Sequence, residues 1–102
     1  MTIQEEIKQA VLKVEPNAEV YLFGSRARGD FRDDSDWDLL ILLSNEVNWK
    51  RKDPIYNILY DVELNKNTIF NTFIYSNDYW KDSDLLHITP FYKDISNDII
   101  RL

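Results

Sequence analysis

The sequence predicts a small α/β (α+β) domain, a mixed β-sheet with flanking helices in the order α-β-β-α-β-α. Three observations carry that expectation. Apolar residues recur at helical spacing in three stretches. Three short runs rich in apolar, β-branched or aromatic residues read as strands. Between them stand polar segments, one of which holds both glycines, and Pro16.

The elements follow in order. Thr2 with Glu5 forms a capping-box pattern, which satisfies orphan amides at a helix start. Ile3, Ile7, Ala10, Val11 and Val14 share one stripe of that helix, and Pro16 stops it. Glu19 to Phe23 reads as a buried strand. Gly24 to Ser35 is charged loop with room for a helical turn. Trp37 to Leu43 is apolar enough to be covered on both faces. Asn45 to Lys52 reads as loop, and Pro54 suits the first turn of a helix reaching about Leu64. Its stripe is Ile55, Ile58, Leu59 and Val62. Thr68 to Tyr75 is the third strand. Asn77 or Asp78 caps a short helix carrying Tyr79 and Trp80. Pro90 opens a last helix with Phe91, Ile95, Ile99 and Leu102 on one face.

Composition sets bounds on function. A chain of 102 residues reads as one domain, 1–102, able to bury roughly 60–65% of its surface on folding. Hydrophobic residues at 44% and charged residues at 29% exclude wholesale disorder. A net charge of −6 disfavours a general nucleic-acid binder, which needs a basic face to displace counterions. The absence of cysteine excludes disulfides, thiolate metal sites and thiol nucleophiles. No apolar run is long enough to span a bilayer, and the acidic N-terminus lacks an apolar leader core. The expectation is a soluble, cytoplasmic domain.

Both glycines lie in Gly24-Ser25-Arg26-Ala27-Arg28-Gly29. Glycine marks places where the backbone needs positive φ or close approach. A strand–Gly–Ser junction feeding a helical turn can aim amides and a hydroxyl at a phosphate. Ten residues separate Ser25 from Asp36-Trp37-Asp38, at the mouth of the next strand. Side chains two apart on a strand share a face, with Cα atoms about 6.6 Å apart. Two such carboxylates suit a hard cation, and magnesium completes its octahedron with water and substrate phosphates. The pair beside a phosphate cradle reads as a site for metal-assisted phosphoryl or nucleotidyl transfer.

These residues resemble the minimal nucleotidyltransferase domains of the DNA polymerase beta-like superfamily. The match rests on Gly24-Ser25, ten intervening residues and Asp36-Trp37-Asp38, within the text GSRARGDFRDDSDWDLLIL. At about one residue in twenty per position, four fixed positions arise by chance in roughly one such sequence in a thousand. The resemblance implies that Gly24 and Ser25 hold the triphosphate of a nucleotide such as ATP. It implies that Asp36 and Asp38 are catalytic and bind Mg2+, with two ions in a complete site. Arg26 and Arg28 would neutralise phosphate charge; a solvated charged loop is the other reading of them, and the one that suits Asp30, Arg32, Asp33 and Asp34. Ser25 doubles as a helix cap, and Ser35 reads as a loop hydrogen-bonding residue. His87 and Trp37 read as structural.

One departure concerns the third carboxylate that the family carries on the next strand. Thr68-Ile69-Phe70-Asn71-Thr72-Phe73-Ile74-Tyr75-Ser76 has none. Asn71 or Thr72 could supply a neutral oxygen, Asp61 and Glu63 fall on the preceding helix, or nothing replaces it. The acceptor is narrowed by length and charge. This chain leaves no room for an added acceptor-binding domain, and its acidity disfavours RNA. Small members of the family imply an antitoxin that pairs with a helical HEPN-type protein, some of them transferring AMP to a tyrosine of that partner. The alternatives are a catalytically weak or inactive module that binds its partner, and a nucleotide sensor without transfer. Fourteen per cent aromatic residues in so small a domain leave room for a partner surface or self-association.

Overall fold

The computed structural model describes residues 1–102. In chain order it contains α1 (Ile3–Val14), β1 (Glu19–Phe23), α2 (Ser25–Arg28), β2 (Trp37–Leu43) and α3 (Trp49–Lys66). Then follow β3 (Phe70–Ser76), α4 (Asn77–Asp82), α5 (Asp84–His87), α6 (Pro90–Asp98) and β4 (Ile100–Arg101). The four strands form one mixed sheet in the order β3-β2-β1-β4. The β1–β2 and β1–β4 pairs are antiparallel, and β2–β3 is parallel. The parallel pair needs a crossover, and α3 supplies it.

Central strand β2 explains the layering. Its residues alternate between faces, and five of its seven in succession, Leu39 to Leu43, are buried. Trp37, Leu39, Ile41 and Leu43 pack with Ile7, Ala10 and Val11 of α1 and with Ile55 and Leu59 of α3. Leu40 and Leu42 pack with Trp80, Leu86 and Ile95 from α4 to α6. Each fully buried Leu or Ile contributes about 1.5–3 kcal/mol. No helix is long and apolar enough to cross a membrane.

Several boundaries differ from the sequence reading, each for a local reason. At α1, Thr2 Oγ accepts from the Glu5 amide as the pattern predicts. The third helix begins at Trp49, five residues ahead of the expected start, because Asn48 caps it and accepts from the Arg51 amide at 3.2 Å. Arg51 anchors this turn. Its guanidinium grips both Glu15 carboxylate oxygens at 3.0 and 2.7 Å and donates to the Ser44 and Glu46 carbonyls. Pro54 therefore lies inside the helix. The cap of α4 is Ser76, not Asn77 or Asp78; its Oγ accepts from the Tyr79 amide. Helix α6 ends at Asp98. Ile99 turns extended, and β4 pairs with Tyr21 and Leu22 of β1. Ile99 and Leu102 thus leave the expected helix face and pack on opposite faces of the sheet.

Candidate active site

The site is an open shelf where β1 ends and β2 and β3 begin. Gly24 follows β1 with φ 74° and ψ −158°, a backbone region that only glycine occupies comfortably. A Cβ there would lie 2.2 Å from Asp38 Oδ2. Conformation and contact both demand glycine, and the Asp38 carboxylate sits directly against the Gly24 backbone. Ser25 starts the single turn of α2, whose Ala27 and Arg28 amides donate to the Gly24 carbonyl. Gly29, at φ 90°, closes that turn with open space around it.

Asp38 stands on β2 and Asp36 just ahead of it. Asp38 pairs with Phe23 of β1 on one side and Asn71 of β3 on the other. Asp36 lies two residues earlier, on the same face by strand periodicity. The Asn71 side-chain amide donates to both, to Asp38 Oδ1 at 3.0 Å and to Asp36 Oδ2 at 3.3 Å. Trp37 turns the other way and is buried in the aliphatic core. Asp36 is exposed and Asp38 half-buried, so both carboxylates reach solvent.

The two arginines have partners of their own. Arg26 Nε and Nη2 donate to the Ser35 carbonyl at 3.2 and 2.9 Å, and Nη2 also to Asp33 O at 3.1 Å. Its guanidinium lies between the Phe31 and Trp37 rings, 4.4 and 4.6 Å from their centroids. That arrangement holds the loop before Asp36 in shape. Arg28 pairs with Asp98 of α6 at 2.7 Å and with Asp30 at 3.3 Å. Its pKa is raised, first by the hydrogen bond to Asp98 and then by that to Asp30. Neither arginine hydrogen-bonds Ser25, Asp36 or Asp38. Ser35 Oγ accepts from the Arg32 amide, a loop role as expected. His87 stacks on Tyr92 and bonds the Trp80 carbonyl, a structural role.

Of the replacements considered for a third carboxylate, only Asn71 reaches the pair. Thr72 pairs with Leu39 and shares its opposite face. Glu63 Oε2 accepts from the Phe70 amide at 2.9 Å and so fixes the start of β3. Asp61 lines a groove between α1 and α3 with Glu6 and Lys13. That groove, at about 430 Å³, is the largest concavity, yet it holds neither glycine of the loop nor the aspartate pair. A smaller one of about 210 Å³ lies beside Asp36, lined by Asp33, Asp34, Ser35, Asn67 and Thr68. No group of three Asp, Glu, His or Cys side chains is arranged to hold a metal ion. The donors present would suit one magnesium ion, for which Asp36 and Asp38 would be the protein ligands and water and substrate phosphates the rest.

The sequence profile of the nucleotidyltransferase domain family matches residues 4–96. The chain belongs to that family. Its polymerase beta-like character follows from the same match. A relative from Methanocaldococcus jannaschii, named as a "putative protein adenylyltransferase", is 40% identical over 65 residues. The matched stretch covers 54% of this chain and 66% of the relative, just under two thirds of its length. Among solved structures, the same nucleotidyltransferase fold appears in a toxin–antitoxin determined with AMP-PNP. It has TM-score 0.64 and 13% identity, over 96% of this chain and 70% of that one. A nucleotidyltransferase from Sulfolobus solfataricus, itself described as putative, aligns at TM-score 0.62 and 23% identity, over 97% of this chain and 75% of that one. A mutant of the toxin–antitoxin MntA-HpeT aligns at TM-score 0.60 and 12% identity, over 99% and 72%.

The sequence offered Asn71 and Thr72 as equal candidates beside the aspartates and could not choose between them, and it gave no sign of a partner for Arg28. Asn71 reaches the aspartates only through the parallel register of two strands, and the Arg28–Asp98 pair joins residues seventy apart. No local pattern signals either.

Proposed function

We propose that this nucleotidyltransferase is a magnesium-dependent adenylyltransferase, moving AMP from ATP to a hydroxyl of a partner protein. The partner is a small helical protein of the HEPN type, and this chain is the antitoxin of the pair. The observation that carries the reading is the aspartate pair at the start of β2, Asp36 just ahead of it and Asp38 on it, with Asp38 seated against Gly24. The name of the archaeal relative supports protein adenylylation, and the two toxin–antitoxin neighbours support the pairing.

In this reading the turn at Gly24 and Ser25 receives the triphosphate. Arg28, exposed at the end of that turn, neutralises phosphate charge, while Arg26 keeps the loop shaped. Magnesium at Asp36 and Asp38 would supply positive charge to the phosphates as the reaction proceeds. The acceptor oxygen bonds to the α-phosphorus, the bond from that phosphorus to its bridging oxygen breaks, and pyrophosphate leaves. The hydroxyl proton passes to water or to a carboxylate of the pair, because the Asn71 amide is no base.

A second reading has one observation in its favour. An amide stands at the third position of the shelf, which suits a catalytically weak or inactive module that acts by binding its partner. Thermal shift separates the two. Each nucleoside triphosphate is added with and without magnesium, to wild type and to Asp36→Asn/Asp38→Asn. Binding to the folded state alone stabilises by about 2.7 kcal/mol at a hundredfold excess over Kd. The expected result is a magnesium-dependent rise with ATP that the double variant lacks. No rise with any nucleotide at millimolar concentration overturns the enzyme reading and leaves the binding module.

A further inference from the structure

We propose that Asn71 is a positioning residue that sets the order in which the site loads, so that the cation arrives with the nucleotide and not before it. This rests on reading Asp36 and Asp38 as the cation ligands.

The geometry is specific. A side-chain amide has two N–H donors on one nitrogen. Asn71 Nδ2 lies within hydrogen-bond distance of one oxygen on each aspartate, so both donors are engaged. The register places Asn71 directly beside Asp38 on the same face, and the side chain needs no detour to reach the pair. The orientation of the amide is dictated by chemistry. Its oxygen facing two carboxylates would meet only acceptors, so the nitrogen must face them. Two like charges on neighbouring same-face positions repel, and the bridging N–H groups offset that repulsion.

A cation at the pair reverses what is wanted from residue 71. The N–H groups then face positive charge and must turn away. Rotation of the amide presents Oδ1, a neutral oxygen donor. Asparagine can play both parts because its two ends are opposite in character. An aspartate could play only the second. The consequence is a shelf of charge −2 whose carboxylates already have a partner to be displaced. Such a site holds a free divalent cation weakly. Phosphate oxygens supply the missing negative charge and ligands, so nucleotide and cation load together.

The experiment uses the whole chain without nucleotide: wild type, Asn71→Asp and Asn71→Leu. Position 71 is exposed on a strand, so leucine is tolerated there. Melting temperature is read in EDTA and in Mn2+, and Mn2+ affinity is read by electron paramagnetic resonance. Asn71→Asp is expected to melt about 4–8 °C below wild type in EDTA. It is expected to bind Mn2+ roughly tenfold tighter and to recover its melting temperature in Mn2+. Asn71→Leu removes the amide that a cation must displace; it is expected to melt lower in EDTA and to bind Mn2+ more tightly than wild type, whereas loss of a merely structural residue would lower melting without that gain. Wild-type melting of both variants in EDTA, or equal Mn2+ affinity of wild type and Asn71→Asp, overturns the proposal. Since no arm contains nucleotide, failure of ATP to bind strikes the proposed function alone.

Discussion

The two faces of the sheet are built from different materials and to different tightness. Against α1 and α3 lies a cluster of fourteen buried residues, mostly aliphatic. Against α4, α5 and α6 the buried set is five, and the space around it is filled by half-buried rings: Tyr21, Phe23, Phe73, Tyr75, Phe91 and Tyr92. Those rings meet edge-on or tilted, as with Phe23–Phe73 at 6.0 Å and Phe73–Phe91 at 5.2 Å. Asp38 and Asn71 belong to the aromatic face, because strand alternation puts them in line with Leu40 and Phe73. The aliphatic face fixes strand register by closing completely. The aromatic face covers the same strands only part-way and leaves its last row polar and open. Register made on one side thus places chemistry on the other.

The largest effect expected is on the closed face. Ile41 is fully buried, and Ile41→Ala should cost about 3 kcal/mol in urea unfolding, from lost transfer energy and the cavity left behind. Phe73→Ala removes a larger side chain from the aromatic face. Because that ring is half-buried, its loss should cost less, about 2 kcal/mol. If the Phe73 variant proves the weaker protein, the division of labour between the faces is wrong.

The same division explains what the sequence could disclose. Helix α1 was legible because its cap, stripe and stop signal are all local. Strand β2 was legible because a run buried on both faces is apolar throughout. The start of α3 was not. Trp49-Lys50-Arg51-Lys52 has no apolar period, and what holds it helical is the cap of Asn48 and the grip of Arg51 on Glu15, thirty-six residues away. The end of α6 was misread because Ile95 and Ile99 are four apart, as in a helix, yet the chain turns extended to pair with β1. In the site, Gly24, Ser25, Asp36 and Asp38 formed a spacing that any reader of the chain can see. Which residue stands beside the aspartates depended on the β2–β3 register, a non-local quantity, and so Asn71 and Thr72 stayed equal until the fold separated them.

The smallest expected effect sharpens the contrast between the two ends of the aromatic face. At the end away from the shelf the polar groups converge on Glu19, with Asn77 Oδ1 buried beside them and unpartnered. Tyr21 donates to Glu19, Asn77 Nδ2 donates to the same carboxylate at 2.8 Å, and Arg101 lies 3.7 Å from it. Burial, and then the hydrogen bond to Glu19, raises the Tyr21 pKa above its ordinary 10.0. A raised pKa on a group that is neutral when protonated means the fold favours the hydroxyl over the phenolate. Its contribution is therefore complete below pH 10 and is lost as pH rises through the folded-state value. Tyr21 is partly exposed, so Tyr21→Phe should cost only about 0.5 kcal/mol at pH 8, the low end for a net hydrogen bond. That difference should shrink as the wild-type tyrosine ionises, when unfolding is compared between pH 8 and pH 11. A difference that stays constant across that range would mean the hydroxyl is solvated in the fold, and the network at this end is as open as the shelf at the other.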